Sequence, residues 1–117
     1  MQKYLYLFRG GDEMMASLSP EEVQAHMGEW QVWMQGLAEK GQLIDGEPLQ
    51  AKGKQVSGGG SVVTDGPFAE GAEIVGGYLM INATSLDEAT EISKGCPILQ
   101  AKDGHIEIRE INVLEFD

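Results

Sequence analysis

Val62-Val63-Thr64-Asp65-Gly66-Pro67-Phe68-Ala69-Glu70, running on through Gly71 to Gly76-Gly77-Tyr78, is the stretch from which the rest of the chain is best read. β-Branched residues stop at an acid, turn through Gly-Pro and restart as an apolar run behind two glycines, which is the pattern of two strands and a turn. Pro67 fixes its own φ and Gly66 is free to take φ > 0, so Phe68 is presented from a loop. Asp65 either hydrogen-bonds its own backbone in an ordinary turn or serves the loop's function. The Gly76-Gly77 pair predicts a bulge or a close backbone approach by a ligand or another chain.

Working outward, Lys3–Phe8 reads as a strand with Tyr4, Tyr6 and Phe8 on one face and Leu5 and Leu7 on the other. Both faces are apolar, so both require cover, and a second subunit is the simplest cover for the face the helices leave open. The tyrosine face also suits a partly wet cavity, because the ring is apolar and the hydroxyl wants a partner. Arg9-Gly10-Gly11-Asp12 is an exit loop in which Arg9 binds an anionic ligand group or a carboxylate of the protein itself.

The first helix is announced by Ser19 as N-cap, Pro20 in the first turn, Glu22 as the return arm of a capping box and Leu18 with Val23 as a hydrophobic staple. Val23, Met27, Trp30, Met34 and Leu37 form its predicted apolar stripe, and Gly41 closes it. His26 and Trp33 fall together on the margin of that stripe, where a side chain reaches a cleft between helix and sheet. The alternative for His26 is a half-exposed helix residue bonded to a neighbouring acid.

Gln42–Ile44 reads as a short strand, Asp45–Leu49 as a turn, and residues 51–60 as an exposed hairpin. Gly58–Gly60 precede a strand rather than a helix, so a nucleotide loop is not expected. Ile74–Ile81 forms another strand. Ser85 and Glu88 open a second helix that ends at Lys94-Gly95, and His105–Asn112 forms the last strand, with a bulge predicted at Arg109-Glu110. Val113–Phe116 is too apolar for a free tail and is expected to dock on the body or on a partner. The order gives an α+β fold: a ferredoxin-like split βαβ unit, one domain over residues 1–117, with both helices on one face.

Nineteen acidic residues against eight basic ones give a net charge of −11, which opposes binding to nucleic acid or anionic membranes. With no run long and apolar enough for a signal peptide or a membrane span, a cytoplasmic location is expected. The single Cys96 excludes an internal disulfide and a cysteine-based metal site within the chain, and its Gly95-Cys96-Pro97 setting suits a small buried hydrophobe. No cofactor is called for. Catalysis in such a chain would rest on a positioned acid–base pair, and His26 with Asp65 is the pair singled out. A metal site of His26, His105 and a carboxylate lacks close ligand spacing, and none is assigned.

Thr64–Glu70 followed by Gly76-Gly77-Tyr78 resembles the motif of the DGPF-domain proteins, a branch of the YCII-like superfamily. The resemblance extends to Lys3–Leu7, Ser19-Pro20-Glu21-Glu22, Gly46-Glu47-Pro48-Leu49 and Ser85–Ala89. It implies ferredoxin-like domains paired into a dimeric α/β barrel, hence a homodimer. It also implies a His–Asp active-site pair with the histidine on the first helix, where His26 matches; Asp65, Glu39 or Asp45 is the candidate acid. One branch of the superfamily has a member that removes chloride from a muconolactone, so a lactone-like or carbonyl substrate is the expected small-molecule ligand. Tyr6, Trp33, Phe68, Tyr78 and Arg9 are the candidate ligand-binding residues. The competing expectation is a non-catalytic module that partners a bacterial extracytoplasmic-function sigma factor, whose basic surface an acidic protein would meet.

Overall fold

Alternation of apolar residues on both faces puts β1 (Gln2–Arg9) in the interior of a sheet. The computed structural model describes residues 1–65 and 74–114. After β1 come α1 (Asp12–Ser17), α2 (Pro20–Glu39), β2 (Leu43–Pro48), β3 (Lys54–Ser57), β4 (Val62–Asp65), β5 (Val75–Ala83), α3 (Leu86–Ser93) and β6 (His105–Glu110). The main sheet has the order β2-β5-β1-β6 with every pairing antiparallel. Because β5 inserts between β1 and β2, the β1–α2–β2 unit is split, and the architecture is the expected ferredoxin-like α+β arrangement.

The core lies between the helices and the face carrying Tyr4, Tyr6, Phe8, Leu79, Ile81 and Ala83. Tyr4, Tyr6 and Ile81 are its largest fully enclosed side chains. Enclosing an isoleucine side chain contributes about 2 kcal/mol from apolar burial. Tyr6 satisfies its buried hydroxyl by donating to the Ala89 carbonyl, which ties β1 to α3.

Both main helices start where their caps dictate. Ser19 and Glu22 close a complete capping box: the Ser19 hydroxyl accepts the Glu22 N–H at 3.1 Å and the Glu22 carboxylate accepts the Ser19 N–H at 3.0 Å. In α3 the Ser85 hydroxyl accepts the Glu88 N–H at 3.1 Å, whereas the Glu88 carboxylate takes the N–H of Thr84 instead of Ser85.

Several expected details are corrected. The exit loop ends sooner than expected: Gly10 and Gly11, at φ 79° and 87°, turn the chain out of β1, and Asp12 already opens a short helix, Asp12–Ser17, for which no element was expected and whose N-terminus Asp12 and Glu13 suit. Asp45–Pro48 continues β2 rather than turning, because Ile44 is absorbed as an irregularity between Leu43 and Asp45 and the strand stays in register with β5. The bulge expected at Arg109-Glu110 does not form. β6 pairs with β1 without a shift from His105 to Glu110 and ends there, so the slipped alternation falls beyond the strand.

Gly76 forms the expected bulge, and the neighbour that comes close to Gly77 is the chain's own β2. Phe8 opposes Gly77 and Arg9 opposes Val75, which leaves Gly76 as the extra residue of a bulge. At Gly77 a Cβ would stand 3.1 Å from the Glu47 carbonyl oxygen, so a close backbone approach is also present.

β3 and β4 form a separate two-stranded ribbon whose residues are all exposed. Gly58–Gly60, all at positive φ, make its turn. Val113 and Leu114 are exposed on this chain, while residues 115–117 lie outside the described residues. No helix among the described residues is long and apolar enough to cross a membrane.

Candidate functional site

The buried seam of α2 is rotated from the predicted stripe. His26 and Leu37 are the buried residues of the helix, with Trp30 and Trp33 packed between them, while Met27 is 53% exposed. The aromatic rings set this rotation: Trp33 stacks over Tyr6 at 6.4 Å, and Trp30 meets Phe8 edge-to-face at 5.1 Å and Trp33 at 6.0 Å. Seating both indoles against β1 carries His26 inward to 7% exposure.

There the Trp30 indole N–H donates to His26 Nε2 at 3.1 Å. An indole N–H is a donor only, so Nε2 must be bare and the proton of the neutral imidazole sits on Nδ1. No group among the described residues accepts from Nδ1. His26 therefore presents a hydrogen-bond donor rather than a base at the nitrogen left for other contacts.

His26 and Trp30 line a cavity of about 490 Å³ between α1, α2 and the β2–β5 end of the sheet. Its volume is within the roughly 300–1,000 Å³ of small-molecule sites. Met14 and Met15 enter from α1, Met27 and Met34 from α2, and Phe8, Leu79 and Ile98 complete the apolar wall. Space exists because Gly77 occupies a helix-facing position of β5 with no side chain, between the buried row of Leu79 and the sheet end.

The chain matches the model of the YCII-related domain over residues 3–116. It belongs to that family. No curated protein matches the chain.

The candidate residues fall in different parts of this YCII-related domain. His26 lines the cavity. Asp65 ends β4 on the exposed ribbon, its side chain 81% accessible and paired with Lys54 at 3.5 Å, and it is not among the cavity's lining residues. Of the alternative acids, Glu39 is on the last turn of α2 beside Gln35, and the Asp45 carboxylate accepts its neighbour's N–H from Gly46 at 2.8 Å. Tyr6 belongs to the core, its phenol pushed above the ordinary tyrosine range by burial. Trp33 packs at the α2–α3 contact and donates to the Ile92 carbonyl at 3.4 Å. Arg9 forms an ion pair with Glu107 at 3.2 Å, the carboxylate alternative of the two expected for it. Tyr78 is half-buried and borders the cavity from β5, at a position that alternates with Gly77 and Leu79 onto the other sheet face. Phe68 and the rest of the Gly-Pro turn lie outside the described residues.

Cys96 is buried, and burial pushes its thiol up to about 12, which removes it as a nucleophile near neutrality. His105 is exposed with Nδ1 3.1 Å from the Asp103 carbonyl oxygen. Among the described residues no group of His, Cys, Asp and Glu is placed to hold a metal ion.

Trp30 was the functional residue that pattern reading assigned to packing alone. Its signal was present: four residues after His26 on a helix, it lies directly beside that ring. Met14 and Met15 carried no such signal, since α1 itself was not anticipated.

Proposed function

We propose that this YCII-related domain, of the DGPF branch, is a cytoplasmic homodimer that binds a small organic molecule in the methionine-lined cavity. The observation that carries this reading is the Trp30–His26 hydrogen bond inside a largely apolar pocket. A buried imidazole held in one tautomer is a fixed donor, suited to a carbonyl or lactone oxygen. Donation from Nδ1 to such an oxygen polarises it, so any chemistry on the ligand has His26 as electrophile, holding the oxygen by a hydrogen bond without giving up its proton.

A His26–Asp65 dyad belongs to this reading only in a modified form. With Nε2 taken by Trp30, an aspartate on Nδ1 would leave neither nitrogen for substrate. Asp65 therefore takes part by approaching the ligand itself, delivered by the exposed ribbon of a second copy. Dimerisation is supported by the sheet face opposite the helices, where Leu5 pairs with Met80 and Leu7 with Tyr78, an apolar centre that the described residues leave half-buried.

The test is a methyl-¹³C methionine spectrum of the protein titrated with a panel of carbonyl compounds and lactones. Binding as proposed moves Met14, Met15, Met27 and Met34 together and leaves Met1 in place. Failure of every compound to move any of the four would overturn the reading.

A further inference from the structure

We infer that the cavity selects neutral or cationic aromatic molecules bearing one hydrogen-bond acceptor, and discriminates against carboxylates and phosphates. This rests on the ligand-binding reading above and adds the charge and the shape class of the ligand.

The charge argument comes from what lines the cavity. Asp12 and Glu47 stand on its wall, exposed to solvent, and no lysine or arginine is among the lining residues described. The undescribed segments 66–73 and 115–117 hold no lysine or arginine either, so they bring no cation to it. Arg9, at the end of β1, pairs with Glu107. The field of a chain with net charge −11 acts in the same direction. An anion entering this cavity loses hydration and meets two carboxylates with no counter-charge, whereas a cation gains from both.

The shape argument comes from sulfur and rings. Methionines from α1 and α2 line the cavity together with Trp30, and thioethers make favourable contacts with aromatic rings while adapting to their outline. One fixed polar group, the His26 Nδ1–H, calls for one acceptor on the ligand. The lining thus describes a ring system with a carbonyl or ether oxygen, with or without an amine, and not an acid.

The experiment compares three probes built on the same naphthalene ring at low ionic strength: acetonaphthone, naphthoate and an aminomethyl-acetonaphthone, an ammonium that keeps the ketone acceptor. Binding is read by tryptophan fluorescence and by the methionine methyl shifts, in the wild type and in the double variant Asp12→Asn/Glu47→Gln. The ketone and the ammonium should bind at least tenfold more tightly than the carboxylate. The double variant should narrow the gap by raising carboxylate affinity and lowering that of the ammonium. If naphthoate binds the wild type as tightly as the ketone, the charge selection is wrong while the cavity remains a ligand site. If none of the three moves the methionine methyls, the ligand-binding reading falls together with this one.

Discussion

Trp30 and His26 are hydrogen-bonded to each other in the cavity wall, and the bond between them is open to a direct substitution. Trp30→Phe keeps a ring against Phe8 and Trp33 but removes the donor to Nε2. Loss of one part-buried neutral hydrogen bond should cost about 1 kcal/mol in urea unfolding and release the His26 tautomer, seen as averaged imidazole ¹⁵N shifts. Cys96 and Tyr6 provide a second test at this scale. Both are acids whose neutral form burial favours, Cys96 rising from 9.0 to about 12. A folded pKa raised above its unfolded value gives stability that is fully present below about pH 9 and lost as pH rises toward 12. The urea midpoint should therefore fall across that alkaline window, and less steeply in Cys96→Ala. His26 itself was legible as a residue of interest from its place on the helix. Its burial was not, because counting at 100° per residue weights all apolar residues alike, whereas two indoles packed on β1 decide which way the helix turns.

Among the elements, the helix starts were the most legible because a cap is local chemistry: Ser19 and Ser85 each accept the N–H three residues on. Ser19→Ala removes the first of these and should cost about 1 kcal/mol. β2 was less legible, since Asp45-Gly46-Glu47-Pro48 carries turn residues and only pairing with β5 holds it extended. Gly46 shows why a glycine is tolerated in that strand. A Cβ there would stand 2.7 Å from the Tyr78 carbonyl oxygen and against the Leu79 side chain. Gly46→Ala should destabilise the domain by about 2 kcal/mol through overpacking, with the melting temperature as the readout. α1 escaped notice because six residues give too short a period to detect, although it supplies two of the cavity's methionines.

The whole molecule is flatter than its length requires. A radius of gyration of 16.1 Å exceeds the roughly 13 Å expected of a compact domain of this size. The exposed ribbon of β3 and β4 stands apart from the main sheet, and with the sheet face of Leu5 and Leu7 it is the surface on which the proposed dimer is tested. Leu5→Glu, on that face opposite Met80, should convert the proposed dimer to a folded monomer in light scattering. Retention of the dimer would exclude this face as the interface. The topology was readable from strand and helix order alone, but the location of the cavity was not. It depends on Gly77 leaving a gap at a helix-facing position and on a helix rotation that only side-chain packing sets. The most direct measurement is the long-range ¹H–¹⁵N spectrum of His26, recorded at neutral pH with and without acetonaphthone. A bare Nε2 and a protonated Nδ1 whose resonance moves on addition are expected. A proton on Nε2, with neither nitrogen responding to the ketone, would contradict the site.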